Sequence, residues 1–300
     1  MTSLPSNPVP TSETSPKPTN KVTTLPICSF QKTPLIGMGS YADVVQIAKD
    51  RVLKRPKIYP ENDPDLAYSN FMNREEMRNE KAVYERLGSH EGIIHCYKAL
   101  DDSIELAYAN QGDLEKYMQK NPSPPQETKE NWIRSLVDTF SYVHSCRVVH
   151  QDIALRNILL HNNSPKLCDF GESSILPLDA DMERFCDCDT TPQVEMLYLG
   201  YVLYSILVWK ELKYDYFENM CFPKPEELPE TDGIVYGAII RKCWAGEYAS
   251  MEALRNDVHN FAGHQGPRVI GASLKWPSLL LLALLGSFPY VIVHWSGVYD

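Results

Sequence analysis

No basic run occurs anywhere in this 300-residue chain, and acidic side chains outnumber basic ones 39 to 29, a formal net charge of −10. Nucleic-acid binding draws on clustered Lys and Arg that neutralise phosphates, so this pattern argues against a nucleic-acid partner. Metal-ligand spacing is absent as well. Of 8 cysteines, Cys186 and Cys188 stand too close together for the usual zinc pair, and the others are scattered. A reduced, cytoplasmic protein is the expectation. Residues 1–26 lack hydrophobic periodicity, the apolar core of a secretory signal and the arginines of a transit peptide. So little apolar surface does not offset the entropy of ordering, and the segment is expected to be disordered.

What the chain does carry is a pair of polar motifs. His150-Gln151-Asp152-Ile153-Ala154-Leu155-Arg156-Asn157 is followed by Asp169-Phe170-Gly171, and each comes after a short apolar, strand-like run. One carboxylate can take the proton of an attacking hydroxyl, while a second carboxylate and an amide hold the metal ions that neutralise a nucleotide's phosphates. In order and spacing the two motifs resemble the catalytic loop and metal-binding turn of the eukaryotic protein kinase family. The resemblance implies Asp152 as a catalytic residue, Asn157 and Asp169 as metal ligands, and ATP with Mg2+ as cofactors.

Upstream, Ile36 to Val44 resembles the family's Gly-rich hairpin, where backbone amides approach phosphate oxygens too closely for a side chain to fit. Gly37 and Gly39 match its first two glycines and Val44 the apolar residue over the adenine. Ala42 replaces the third glycine and stiffens the hairpin. Arg51-Val52-Leu53-Lys54 reads as a strand; Arg55 and Lys57 compete, but Lys54 shares a face with Val52 by alternation. It is similar to the lysine that touches the α- and β-phosphates. Asn73 to Leu87 reads as a helix with an apolar stripe of Met77, Val83, Tyr84 and Leu87. Glu80 on it matches the glutamate that pairs with that lysine, with Glu75, Glu76 and Glu85 expected at the surface. Ile104 to Leu114 resembles the strand and connector between two lobes. There Leu106 would stand behind the adenine, and Ala107 and Ala109 would offer backbone groups to its edge. Asp113 would lie near the ribose hydroxyls or, equally, cap a helix beginning at Leu114.

Further helices are expected over Thr128 to Ser145 and over 193–210, the latter apolar nearly all round. Glu195 occupies the place of the acid that braces the catalytic loop in the family. Three departures concern the acceptor side. No Ala-Pro-Glu lies between Asp169 and Glu195, so the peptide-docking activation segment is shortened. Gln151 replaces the Arg that binds a phosphorylated segment in many relatives. Ala154 and Arg156 look more like the tyrosine-kinase version of the loop. Ile240 to Tyr248 resembles the last helices of the compact fungal protein-kinase-like type.

Trp276 to Tyr299 holds no Asp, Glu, Lys or Arg and includes the leucine-rich run 279–285. About 20 apolar residues of helix cross a bilayer core, and Trp276 and Trp295 suit its two interfaces. A transmembrane anchor is therefore expected over 276–295, against which stand Pro277, Pro289 and His294. It would tether a cytoplasmic kinase domain to a membrane.

These readings give an α+β class with a two-lobed protein-kinase-like fold over 27–265: a small β-rich N-lobe to about 109 and a larger helical C-lobe from about 110. The expected function is ATP-dependent transfer of a phosphoryl group to a hydroxyl of a protein or peptide substrate, with Ser/Thr against Tyr left open. The alternatives are a non-catalytic nucleotide-binding scaffold and a small-molecule phosphotransferase of the same fold.

Overall fold

A computed structural model describes residues 35–60, 64–187 and 190–261. The segments 1–26 and 276–295, for which disorder and a membrane anchor are expected, lie outside them. Strands β1 (Leu35–Met38), β2 (Ala42–Ala48) and β3 (Arg51–Pro56) follow one another, and β4 (Cys96–Ala99) and β5 (Ile104–Ala107) join them. The result is a five-stranded antiparallel sheet in the order β1-β2-β3-β5-β4. The central strand β3 pairs Lys54 with Val44 on one side and with Ile104 on the other. Its alternation puts Val52 and Lys54 on the buried face, as expected of a pleated strand.

Between β3 and β4 runs α1 (Pro64–Leu87), whose second half buries Met77, Glu80, Val83, Tyr84 and Leu87. The helix starts well before the expected Asn73, and two buried amides explain why. Asn70 exchanges hydrogen bonds of 2.7 and 2.8 Å with the backbone of Tyr59, and Asn73 donates to the Lys57 carbonyl at 2.8 Å. They tie the helix start to the chain leaving β3, yet leave no apolar periodicity for a sequence reading to detect.

The larger lobe is helical: α2 (Leu114–Lys120), α3 (Gln126–Ser145), α4 (Pro192–Val208), the short α5 (Tyr216–Asn219), α6 (Gly237–Trp244) and α7 (Met251–Asn260). Two antiparallel ribbons line its upper surface, β6 (Val148–Val149) with β9 (Ser174–Ile175), and β7 (Ile158–His161) with β8 (Ser164–Leu167). Helix α4 is its axis and is buried along nearly its whole length. Thr191 caps it by accepting from Val194 N–H, with Pro192 in the first turn. Gly200 lets α6 approach, since a Cβ there would fall 2.7 Å from the Cβ of Cys243. Cys243 and Trp244 are both fully buried in this contact.

The transmembrane helix has to be corrected. No helix among the described residues is long and apolar enough to cross a membrane. The most apolar helix, α4, has 17 residues and spends them on the lobe's core, while the longer α1 and α3 carry many charges. A bilayer span needs both properties in one helix, about 20 residues of it.

Candidate active site

The floor of the interlobe cleft is assembled around His150. Its Nδ1 accepts from the Asp152 N–H at 3.2 Å, so its Nε2 donates to the Cys168 carbonyl at 3.0 Å. One buried imidazole thereby fixes the spacing between the two motifs. On either side the backbone is strained: Gln151 has φ 65° and Asp169 φ 64°, values that cost a non-glycine residue about 1–3 kcal/mol. Such strain persists only where neighbours over-determine it. At Gln151 the neighbour is Glu195 on α4, whose Oε1 accepts the Gln151 N–H at 2.8 Å while its Oε2 meets His144 Nε2 at 2.6 Å.

The Leu155–Asn157 turn then folds the loop back on Asp152. Asn157 Nδ2 donates to the Asp152 backbone carbonyl at 2.8 Å and to its Oδ2 at 2.7 Å, while Arg156 forms an ion pair with Oδ1. Both carboxylate oxygens are thus oriented, and the amide oxygen of Asn157 is left as an acceptor.

The roof supplies the opposite charge. Lys54 Nζ lies 2.6 Å from Glu80 Oε2 and 2.7 Å from Asp169 Oδ1, with Lys54 and Glu80 both buried. Burial alone would push the Lys54 ammonium down, but the Glu80 and Asp169 carboxylates outweigh it and hold the lysine above its usual range. For Asp169 burial works upward, and the Lys54 charge with the hydrogen bonds from Lys54 and Tyr41 holds it below the usual carboxylate range.

These groups face one cleft of about 700 Å³ that all the expected residues line: Gly37, Gly39, Val44, Lys54, Glu80, Leu106, Ala107, Ala109, Asp113, Asp152, Asn157 and Asp169. At its inner edge Ala107 gives its N–H to His95 and the Ala109 carbonyl accepts from Gly112. Among the described residues nothing accepts from the Ala109 N–H, although the residue is buried. Asp113 lines the cleft and also caps α2, accepting from the Lys116 N–H and Nζ at 2.8 Å each.

The residues present fit a nucleotide and a cation. A Cβ at Gly37 or Gly39 would come no nearer than 3.5 Å to another part of the chain, so the fold itself does not demand glycine at either place. Oε1 of Glu80 is buried with no hydrogen-bond partner among the described residues. Among the described residues no set of three or more His, Cys, Asp or Glu converges on a metal site. Asn157 and Asp169 would leave most of a cation's coordination to phosphate oxygens and water, the usual habit of Mg2+.

Among the further residues lining the cleft that the sequence reading did not assign to the site are Tyr41, Arg156 and Glu172. Arg156 had a signal, its i,i+4 spacing from Asp152; Tyr41 and Glu172 had none. Asp152, Arg156 and Glu172 also border a second cleft of about 580 Å³, lined by Tyr198 and Tyr201 of α4 and by Tyr214. Burial and the nearby Asp152 and Asp169 charges raise the Glu172 carboxyl.

The family model of the protein kinase domain matches residues 30–197, more than half of the chain. The chain belongs to the protein kinase family. It is 30% identical over 145 residues to NUAK family SNF1-like kinase 2 of Homo sapiens, covering 42% of this chain and 23% of that one. To testis-specific serine/threonine-protein kinase 4 of Homo sapiens it is 28% identical over 149 residues, 47% of this chain and 44% of that one. To mitogen-activated protein kinase kinase kinase dlk-1 of Caenorhabditis elegans it is 26% identical over 183 residues, 51% of this chain and 19% of that one. The chain therefore spans less than half the length of each of these relatives. Use of ATP with a divalent metal is general in the family.

In this kinase domain the segment after Gly171 is reached by the Gln151 side chain and by Arg86, whose guanidinium donates to the Leu176 carbonyl at 2.9 Å. Gln151 Nε2 donates to Ser174 Oγ at 2.6 Å and to Asp187 Oδ2 at 3.3 Å, and Ser174 Oγ donates to the same Asp187 oxygen at 2.6 Å.

Proposed function

We propose that the chain transfers the γ-phosphoryl group of Mg-ATP to a hydroxyl of a protein acceptor. The observation that carries this reading is the bridge of Lys54 to both Glu80 and Asp169, in the same cleft as the oriented carboxylate of Asp152. Lys54, held by Glu80, would neutralise charge on the α- and β-phosphates, with the Gly37 to Gly39 hairpin above them. The Ala109 N–H would meet the adenine edge, between Val44 and Leu106. Asp169 and the amide oxygen of Asn157 would hold Mg2+, which supplies charge neutralisation across the phosphates when bound.

Asp152 would accept the proton of the acceptor hydroxyl as its oxygen bonds to phosphorus and ADP leaves. Arg156 and Asn157 keep that carboxylate in one orientation, the kind of positioning on which this reaction depends. The second cleft meets the first at Asp152, Arg156 and Glu172, so an acceptor segment lying there would present its hydroxyl to Asp152. Its aromatic lining of Tyr198, Tyr201 and Tyr214 would then serve as a docking surface for that segment.

A second reading, a scaffold that binds nucleotide without transfer, is favoured by one observation: Tyr41 packs among the groups that would meet the phosphates. Incubation of the full chain with γ-labelled Mg-ATP and generic protein acceptors separates the two. Transfer is expected, and Asp152→Asn should lower it by about 10²- to 10⁴-fold with nucleotide affinity unchanged. Nucleotide binding with no transfer by the unaltered chain would support the scaffold instead.

A further inference from the structure

The tip of the glycine hairpin is folded into the charge cluster beneath it. Tyr41 is only 9% exposed, although Leu35 and Ile36 on the neighbouring strand are 50% and 42% exposed. Its hydroxyl lies 2.7 Å from Lys54 Nζ, 2.5 Å from Asp169 Oδ1 and 3.0 Å from Glu80 Oε2. A phenol accepts one bond from the ammonium and has a single proton for the two carboxylates, so its capacity is filled. The Lys54 ammonium also stands 4.7 Å from the centre of the ring. One neutral side chain thus touches all three groups that would manage the triphosphate and its cation.

The socket is built from both lobes. On the C-lobe side only glycine admits the ring, because a Cβ at Gly171 would lie 2.2 Å from the phenolic oxygen. On the hairpin side Lys57 holds the backbone, its N–H donating to the Tyr41 carbonyl at 2.8 Å and its Nζ to the Gly39 carbonyl at 2.5 Å. Ala42, buried where relatives have a third glycine, pairs with Pro56 and starts β2 immediately after the tyrosine. The turn closes with Gly39 N–H on the Ala42 carbonyl at 2.9 Å. Strand pairing therefore fixes the chain beside Tyr41, and the exposed Ser40 side of the turn is left to move.

We propose that Tyr41 is a gate: in the nucleotide-free chain its phenol holds the place of the phosphates and cation, and it must leave before Mg-ATP is seated. This rests on the nucleotide-binding reading above. The gate makes the empty cleft more stable and the filled one harder to reach, since a conformation that excludes the ligand lowers apparent affinity by its share of the population. It also keeps Lys54, Glu80 and Asp169 aligned while no ligand is present.

The test is titration of the full chain with a fluorescent ATP analogue and Mg2+, for the unaltered protein, Tyr41→Phe and Tyr41→Ala, together with their ligand-free melting temperatures. Tyr41→Phe removes one oxygen and keeps the ring, so it leaves the hairpin's packing in place. It should tighten nucleotide binding about tenfold, the factor that one hydrogen bond to a charged group is worth, and Tyr41→Ala at least as much. Both variants should melt at lower temperature without ligand. Equal affinity in all three proteins, or weaker binding in the variants, overturns the gate and leaves the nucleotide reading standing. No binding by any of the three overturns both.

Discussion

On the floor of the cleft, Gln151 and Asp169 hold left-handed backbone conformations, braced by Glu195 and by the imidazole of His150 from the buried side. On the roof, Leu35 and Ile36 are exposed, the hairpin turn is held by its own Gly39 N–H bond and by Lys57, and its inward contact is the tip residue Tyr41. The floor is thus tied to the deepest helix of the C-lobe, while the roof rests on the ligand's own place. The difference suits the chemistry. On the proposed reading a group that takes a proton during transfer must not move and a cover over a nucleotide must, which matches a tightly braced floor beneath a lightly held roof.

Breaking the floor should have the larger effect. Glu195→Ala leaves the Gln151 N–H and His144 without their buried acceptor, each costing about 1–3 kcal/mol. Thermal unfolding should fall by several degrees, at roughly 2–4 °C per kcal/mol for a domain of this size. Phosphoryl transfer should fall further than nucleotide affinity, because the brace acts on Asp152 and not on the glycine hairpin. A variant that melts and transfers like the unaltered chain would show that the strained loop is held by something else. A smaller change sharpens the comparison. Thr191→Ala removes the cap of α4 at a cost of about 1 kcal/mol and should leave nucleotide affinity unchanged, since the helix start carries no cleft residue. Melting curves and the same fluorescent titration check both halves of that expectation.

Much of the floor could be read from the sequence. Asp152, Asn157 and Asp169 stand close together along the chain, so their spacing carries most of their geometry, and Glu195 was placed by the resemblance of its helix to the family's scaffold helix. Lys54 was separable from Arg55 and Lys57 because a strand alternates, and Glu80 was singled out by its match to the family's paired glutamate. The roof was less legible. Nothing in the spelling Gly39-Ser40-Tyr41-Ala42 says which way the ring turns. That follows from Ala42 entering the β2 ladder and from the space above Gly171, both of them contacts between distant parts of the chain. The early start of α1 was hidden for a related reason, since Asn70 and Asn73 are buried by hydrogen bonds to a loop and mimic surface residues. The second cleft was invisible because its lining, Glu172, Tyr198, Tyr201 and Tyr214 among others, is spread along the chain and comes together only in the fold. The expected transmembrane helix is not met among the described residues, where no helix is long and apolar enough to cross a membrane.

Hydrogen exchange of the full chain with and without Mg-ATP tests the account most directly. Amides of the catalytic loop from Val148 to Asn157 should be protected before ligand is added and change little afterwards. Those of the hairpin turn from Gly39 to Tyr41 should exchange faster than the loop in its absence and gain protection on binding. A hairpin unmoved by nucleotide, or a catalytic loop that becomes ordered only when nucleotide arrives, would contradict it.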